Sequence, residues 1–466
     1  MLQLDQRNWA RKMFGNAQLG DSRPTERLVL CAGLQARQAG ESSLASCGGD
    51  AAAAEGLYRL MSNEHCETSA ITRAGCLQTA ASVPGDGDIL AIQDTTTLCY
   101  PKRLQAELGP VGGNKSSKIQ GIHAHSTLLV DLASGSTIGL ADQQFWIRDA
   151  EVTVPKGQED TRPAEVLESF KWFQGDAVAL ERLGLAASRV ITVADRESDI
   201  TDYIAGKVQR GERFVLRSLH DRLVAGDKRK LRKAIKIMPV AAMIVVHVPQ
   251  KGGKQAHPAR DATVTLRSGT VLFAPEGLAV EKRFNVNVVW VHEDSPPVAA
   301  TPLDWLLLTS EPADTGPQAL RVLRCYTLRC RIEDFHKALK SAGCDVESRR
   351  QHSADTLERT AAMLAFVAVR LLQLPDAHDN SSTTPCTTIL TQLQWRCLWQ
   401  ATARGKPIPK QAPTATWACR ALAKLGNWMP KKGASPGYAK LWAGWDRLQN
   451  RVEAVQMLLG ETVGTM

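Results

Sequence analysis

The stretch YTLRCRIEDFHKALKSAG, residues 326–343, has the spacing of an amphipathic helix with an unusual polar face. In a helix each residue turns by roughly 100°, so side chains seven apart return to one face. Tyr326, Glu333 and Lys340 recur at that interval, and apolar residues fall on the opposite side. The stretch therefore predicts a helix that buries one stripe and presents a tyrosine, an acid and a base on the other.

Two further cations flank the glutamate of this helix. Arg329 precedes Glu333 by one turn, and Lys337 follows it by one turn. A surface helix with spaced charge pairs would fit this pattern. An acid that binds a metal ion, with cations that hold phosphate beside it, would also fit.

The bulk composition indicates a globular protein with a basic excess. The chain has 466 residues, 44% of them hydrophobic, and a formal net charge of +9. Its longest apolar run, AAMLAFVAV at 361–369, is too short to span a bilayer and predicts a buried helix. The N-terminus lacks a signal-peptide core, and the eleven cysteines show no metal-binding spacing. We therefore expect a cytoplasmic protein with reduced cysteines and no membrane partner.

The positive charge is concentrated in one region. Residues 217–283 carry 14 Lys and Arg against 5 Asp and Glu, a balance equal to the excess of the whole chain. The densest part is DKRKLRKAIK, residues 227–236. A solvated charged face and a surface that follows a phosphate backbone both remain open on charge alone.

The pattern of apolar residues divides the chain into three segments. Residues 1–65 predict short helices, and residues 66–370 predict strands and helices in the order β-β-β-α-β-α-β, a mixed α/β sheet. A β-rich basic insertion at 219–300 precedes the return to the sheet at LDWLLLTSEP and one long helix. LPDAHDNSSTTPC is typical of a linker, and residues 371–466 predict helices rich in Trp and Leu.

Two predicted buried strands end on aspartates. Asp94 closes ILAIQD and Asp195 closes VITVAD, and a carboxylate at a strand end can be held rigidly at the edge of a sheet. Together with Glu333 they could hold two magnesium ions beside a phosphodiester. Glu197 and Asp199 follow closely in DRESD; either could be a metal ligand, but a salt bridge or a helix start is the expected role.

With these residues in place, the sequence resembles the DDE transposases of bacterial insertion sequences. It is similar to the group whose helix carries Tyr-x2-Arg-x3-Glu-x6-Lys, a pattern that is complete here. Further motifs of the family occur in order along the chain: LGDSRPTERLV, EGLYRL, AIQDTT, ADRESDI, LDWLLLTSEP, RIEDFHKA and LWAGWDRLQ. One departure is Cys330, which stands where the family pattern has a tryptophan.

The resemblance implies a fold and a set of site residues. The expected fold is α/β with an RNase H-like catalytic core at 66–370, a DNA-end-binding helical domain at 1–65 and a helical dimerisation domain at 371–466. The implied catalytic and metal-binding residues are Asp94, Asp195 and Glu333. The implied DNA contacts are Tyr326, Arg329, Lys337, Lys340, Arg217, Trp305, Arg27 and Arg59, with Trp305 stacking on a flipped base. For Trp305 the sequence alone favours a core tryptophan.

The resemblance also implies an activity. A cut-and-paste transposase would cleave transposon ends with two Mg²⁺ ions, pass through a DNA hairpin and join the ends to target DNA. Mn²⁺ is expected to substitute for magnesium. The expected partners are the terminal inverted repeats, target DNA and a second copy of the chain, in the bacterial cytoplasm at the nucleoid. A nuclease that cuts without joining, and a non-catalytic DNA-binding relic or inhibitor, remain as alternatives.

Overall fold

The computed structural model describes most of the chain, in fourteen stretches. These are residues 5–37, 50–100, 107–111, 119–148, 167–225, 230–248, 258–273, 283–297, 300–340, 343–349, 353–379, 384–403, 405–430 and 436–460. The chain forms two compact units. Unit 1 comprises Met1–Gly85, Thr95–Thr161 and Arg331–Met466, and unit 2 comprises Asp86–Asp94 and Arg162–Cys330.

Helices and strands alternate in the middle of the chain, and helices dominate at both ends. The helices are α1 (Gln6–Phe14), α2 (Ser22–Arg37), α3 (Ala51–Met61), α4 (Thr68–Ala80), α5 (Phe170–Leu183), α6 (Thr201–Arg210), α7 (Leu231–Lys236), α8 (Gly316–Thr327), α9 (Cys330–Lys340), α10 (Ala354–Asp379), α11 (Gln392–Thr402), α12 (Ala415–Leu425) and α13 (Tyr438–Leu458). The strands are β1 (Ile89–Tyr100), β2 (Gly109–Pro110), β3 (Gln120–Asp131), β4 (Thr137–Trp146), β5 (Val190–Ala194), β6 (Arg213–Arg217), β7 (Val240–Val248), β8 (Arg260–Phe273), β9 (Phe284–His292) and β10 (Asp304–Thr309).

The strands of unit 2 form a mixed sheet in the order β1-β5-β6-β10-β9-β8-β7. β1, β5 and β6 run parallel, and the remaining pairs are antiparallel. The apolar side chains on one face pack against α5 and α6, where Trp172, Tyr203, Phe214, Leu216 and Leu308 belong to one buried cluster. The order β-β-β-α-β-α-β predicted from the sequence is confirmed except for the added two-residue strand β2, and the strands expected within the basic stretch are confirmed.

Unit 1 is built around the long helix α10. The run 361–369 lies within it and is entirely buried, as predicted. α10 packs against α2, α4, α12 and β4. β3 pairs antiparallel with β4, which confirms the predicted hairpin, and also lies beside β1. Among the described residues, no helix is both long enough and apolar enough to cross a bilayer.

The prediction of one continuous helix before and after Glu333 is wrong. The chain forms α8 and α9, which are separated by a turn at Leu328 and Arg329. The Thr327 hydroxyl donates to the carbonyl of Arg324 at 2.9 Å, and the Arg329 amide turns back to the carbonyl of Tyr326 at 3.0 Å. Both hydrogen bonds go to the carbonyl three residues earlier, whereas α-helical bonds go to the carbonyl four residues earlier. They compete with the helical hydrogen bonds and interrupt the helix.

The expectation that Asp94 closes a strand is also wrong, because β1 continues to Tyr100. The parallel pairing with β5 stops at Ile92, but the next residues are β-branched threonines, which favour extended chain. Thr95 hydrogen-bonds to His125 of β3 at 2.9 Å. Asp94 therefore lies within a strand, at the point where the partner strand ends.

The linker-like run after residue 370 is partly helical. α10 continues through LPDAHD to Asp379, and residues 380–383 lie outside the described part of the chain. Leu374 and Asp376 are buried in this last part of α10. Asp376 also accepts a hydrogen bond from the Thr137 amide at 2.7 Å. Burial and this hydrogen bond therefore stabilise the helix past the point where the sequence predicts a linker.

Candidate active site

Three predicted site residues form a row across the parallel strands of unit 2. Ile92 of β1 pairs with Val193 of β5, and Ala194 of β5 pairs with Leu216 of β6. Continuing this register places Asp94 opposite Asp195, and Asp195 opposite Arg217. Side chains alternate between the faces of a sheet, so these three lie on the same face.

The first aspartate of this row is bound to an arginine, and the second is fixed by a turn. Arg329, in the turn after α8, forms an ion pair with the Asp94 carboxylate at 3.3 Å. Both side chains are largely buried. The Asp195 carboxylate accepts a hydrogen bond from the Glu197 amide at 3.0 Å and caps the single helical turn Arg196–Ser198. Side-chain and backbone contacts thus hold both carboxylates, that of Asp94 within β1 and that of Asp195 directly after β5.

The neighbouring acids in DRESD have other surroundings. Asp199 is buried and accepts hydrogen bonds from the amides of Leu219 and His220 at 2.6 and 2.9 Å. It also forms an ion pair with Arg222 at 2.5 Å. Glu197 is exposed and lies 3.8 Å from Lys171. The salt-bridge role expected for these two acids is therefore observed.

An aromatic pair lies on the same face of the unit 2 sheet. Trp305 is in β10, two residues before Leu307, which pairs with Arg217. Its ring meets the ring of Tyr326 from α8 edge to face, with centroids 5.6 Å apart. Trp305 is half-buried and Tyr326 is buried. The indole therefore borders the row of charged side chains and is not enclosed in the core, contrary to what its Leu-rich neighbourhood alone suggested.

Asp304, the residue before Trp305, contacts two arginines. Arg217 donates to the backbone carbonyl of Asp304 at 3.2 Å. The Asp304 carboxylate pairs with Arg232 of α7 at 2.9 Å and accepts from the Trp290 indole at 2.7 Å. Of the basic run 227–236, residues 227–229 lie outside the described residues.

A network of four charged side chains attaches α8 to the sheet. Arg213 of β6 and Arg321 of α8 each bind both Asp88 and Glu311, with Arg213–Glu311 at 2.7 Å and Arg321–Glu311 at 2.6 Å. The hydrogen bond from Arg213 is the main cause that lowers the pKa of Asp88. α8 carries Tyr326 and is followed by Arg329, so this network fixes the element that brings both residues to the site.

A buried network on the opposite face was not predicted from the sequence. Lys207 of α6 is fully buried, and its ammonium contacts Asp176 of α5 at 2.6 Å, Thr192 at 2.9 Å and Glu212 at 3.1 Å. Asp176 also accepts from Gln93 at 2.7 Å, from Thr192 at 2.8 Å and from the Tyr203 hydroxyl. Gln93 and Thr192 are in β1 and β5, so the network holds the strands that carry Asp94 and precede Asp195.

The remaining helix residues of the predicted pattern lie in unit 1. Glu333 and Lys337 are on the exposed face of α9, while Ile332, Phe335 and Leu339 are buried, which confirms the amphipathic pattern for this helix. Lys340 donates to the carbonyl of Thr97 at 2.7 Å and lies 3.3 Å from the Glu347 carboxylate. Cys330, which replaces the family tryptophan, is exposed.

The two N-terminal arginines share one surface of unit 1. Arg27 of α2 is exposed and lies against α3 at Gly56, where an added Cβ would be 2.6 Å from its Nη1 atom. Arg59 is three residues after Gly56 and therefore on the same side of α3. It is exposed and pairs with Glu55 at 2.8 Å. Such an exposed pair contributes little to stability, so Arg59 can exchange its partner at small cost.

The chemistry of the aspartate row suits a divalent cation with oxygen ligands. Asp94 and Asp195 present hard carboxylate donors from one face of one sheet, which are the ligands that Mg²⁺ prefers. Within the described residues, no group of three or more His, Cys, Asp or Glu side chains is arranged to hold a metal ion. The two aspartates alone therefore fit part of a magnesium site.

Comparison with known protein families gives a match at the N-terminus. Residues 6–66 match the model of a family described as transposase DNA-binding. The matched segment contains α1, α2 and α3, and with them Arg27 and Arg59. The match supports a transposase, with DNA as its partner.

Proposed function

We propose that the protein is a cut-and-paste DNA transposase of the DDE class, similar to the transposase of transposon five. The observation that carries the proposal is the row of Asp94, Asp195 and Arg217 on one face of the unit 2 sheet, in a chain whose N-terminus matches a transposase DNA-binding family. The parallel β1-β5-β6 strands and the antiparallel β3-β4 pair support an RNase H-like core.

In this proposal the acids and the cations have separate roles. Asp94, Asp195 and Glu333 would hold the magnesium ions, which would supply an activated nucleophile and neutralise charge on the leaving oxygen. Mn²⁺ can replace Mg²⁺ because it also prefers carboxylate and water oxygens. Arg217, Arg329, Lys337 and Lys340 bind phosphates of the transposon end. Tyr326 also contacts a phosphate of the transposon end, and its ring packs edge to face on Trp305.

One site then serves four chemically similar displacements: nicking, hairpin formation, hairpin opening and strand transfer. Water attacks the phosphodiester at the transposon boundary and leaves a 3′ hydroxyl. That hydroxyl attacks the opposite strand to form a hairpin and releases the flanking DNA. A second water then hydrolyses the hairpin and frees the 3′ hydroxyl again, and this hydroxyl attacks target DNA. In each step water or a 3′ hydroxyl attacks the phosphorus in line with the P–O bond that breaks. The same acids and cations can therefore serve each nucleophile.

The helical segments at both ends of the chain bring the DNA ends to this site. Arg27 and Arg59 bind the terminal inverted repeat from the surface formed by α2 and α3. A homodimer formed through the C-terminal helices pairs the two ends. The reaction takes place on chromosomal DNA in the bacterial cytoplasm.

The test is cleavage of DNA that carries the inverted repeats bordering the gene. Purified protein with Mg²⁺ should nick at the repeat boundary, and Glu333→Gln should lower the rate at least about 100-fold because a neutral amide is a weaker metal ligand. End binding, measured by gel shift at fixed salt, should stay within about twofold because Glu333 adds no positive charge for phosphate to contact.

The alternative functions give different results in this experiment. Tight end binding without any cleavage by the natural sequence would indicate a relic or inhibitor. Cleavage without regard to the repeat, and without joining to target DNA, would indicate a plain nuclease. Cleavage that persists in Glu333→Gln would show that this glutamate is not a metal ligand.

Replacing Trp305 by alanine tests the base-flipping role. Removal of the indole should slow hairpin formation about tenfold or more, because stacking on an aromatic ring is worth about 1–3 kcal/mol per base. The first nick precedes the hairpin turn and should change little. Single-turnover assays on a pre-nicked and an intact end separate the two rates. Equal loss in both would indicate that Trp305 only supports Tyr326.

A further inference from the structure

The C-terminal helix α13 holds one residue shortly before Glu333 and one directly after it. Tyr438, the first residue of α13, accepts a hydrogen bond from Arg331 at 2.8 Å and donates one to Asp334 at 3.1 Å. Arg331 and Asp334 lie two residues before and one residue after Glu333 in α9. One phenolic hydroxyl therefore bridges the first turn of α9.

The tyrosine itself is fixed by the core of unit 1. Its ring packs on Trp442, with centroids 5.6 Å apart, and Trp442 is buried. The Trp442 indole donates to the carbonyl of Leu371 in α10 at 3.3 Å. The hydroxyl is thus held at one position relative to α10, and it can hold α9 in turn.

A second contact ties the same turn to α10 directly. Arg331 pairs with Asp376 at 3.0 Å, and the other oxygen of Asp376 accepts from the Thr137 amide at 2.7 Å. The Arg331 and Asp376 side chains are both largely buried. Such a buried pair with a hydrogen bond to the backbone has little freedom to move.

The first turn of α9 needs such support. It follows directly on the turn at Leu328 and Arg329, so it does not continue the helical hydrogen bonding of α8. A metal-binding carboxylate must be held to within about 0.5 Å, and its supporting contacts usually cost 10–100-fold in metal affinity when they are removed.

We propose that Tyr438 is a positioning residue for Glu333, acting through Arg331 and Asp334. This inference rests on the proposed function of Glu333 as a metal ligand. The C-terminal helix α13 is then part of the machinery that sets the catalytic carboxylate, in addition to any contact that it makes with another chain.

The test compares Tyr438→Phe with Tyr100→Phe in the full chain. The first change keeps the ring on Trp442 and removes only the bridging hydroxyl. Tyr100 is also buried in unit 1, but its hydroxyl has no hydrogen-bond partner within the described residues, so it is the matched control. Two readouts are measured: amide hydrogen exchange of residues 331–334 without DNA, and end cleavage as a function of Mg²⁺ concentration.

For Tyr438→Phe we expect exchange at 331–334 to become about tenfold faster, because the lost hydrogen bonds restrained this turn. The Mg²⁺ concentration for half-maximal cleavage should rise about tenfold, with the rate at saturating Mg²⁺ largely recovered. Tyr100→Phe should change neither. Exchange and Mg²⁺ dependence that match the control would overturn the proposal. If the natural sequence binds ends but does not cleave, the proposed function fails, and the exchange measurement still decides whether Tyr438 holds α9.

Discussion

Asp195→Asn should abolish DNA cleavage while the protein stays folded and bound to the transposon end. Under the proposed function Asp195 is a metal ligand, and the loss of its charged oxygen should remove several kcal/mol of transition-state stabilisation, so the cleavage rate should fall about 10³-fold or more. The asparagine carbonyl can still accept the hydrogen bond from the Glu197 amide, which Asp195 accepts at 3.0 Å. The turn after β5 should therefore keep its shape. The measurement is the initial nicking rate at saturating Mg²⁺ on an inverted-repeat substrate.

The matched control for this variant is Glu197→Gln. Glu197 is two residues away, exposed, and contacts Lys171 only at 3.8 Å. Removing its charge should leave the nicking rate within about twofold, because an exposed pair of this kind contributes little. A large loss of nicking in Glu197→Gln, with cleavage preserved in Asp195→Asn, would show that Glu197 and not Asp195 is the metal ligand in DRESD.

Lys207→Met should be among the most destabilising single substitutions in unit 2. The change leaves the Asp176 carboxylate buried without its cation and leaves Glu212 without a buried partner. Breaking a buried ion pair from one side costs about 3–5 kcal/mol, because the remaining charge stays desolvated. Urea-dependent hydrogen exchange of the β5 amides measures the free energy of unfolding at this position, where a single global transition cannot be assumed for a chain of two units.

Lys236→Met provides the comparison for this stability measurement. Lys236 is exposed at the end of α7, so its removal should change the free energy of unfolding by no more than about 0.5 kcal/mol. Similar values for the two lysine variants would mean that the Asp176–Lys207 pair does not stabilise the strands that carry the aspartates.

Local patterns predicted the elements that carry this site. Alternating and continuous apolar runs correctly indicated β3, β4 and β5, and the order of strands and helices in unit 2 followed from the same signal. Asp195 was expected as the last residue of a buried strand, and the strand β5 ends one residue before it, at Ala194. The pairing of β1 with β5 then brings Asp94 to the same end of the parallel strands as Asp195, and no single segment of sequence specifies this pairing.

The differences arise where tertiary contacts outweigh local signals. Neither glycine nor proline marks the interruption between α8 and α9; a threonine hydroxyl and the Arg329–Asp94 ion pair accompany it. β1 passes Asp94 because the following threonines find a second partner strand. Lys207 occupies an ordinary position on a charged helix in the sequence, and only its burial beside Asp176 shows its role.

The charged network at the base of α8 has a consequence for ionic strength. Its four members are half-buried or buried and share hydrogen bonds, so dissolved ions screen their attraction less than they screen exposed charges. Contacts with DNA phosphates respond far more steeply, and a protein with 6–10 of them loses about 10³–10⁵ in affinity between 50 and 200 mM salt. Concentrated salt would therefore release the nucleic acid while α8 keeps Tyr326 in place, and dilution would restore the complex without refolding.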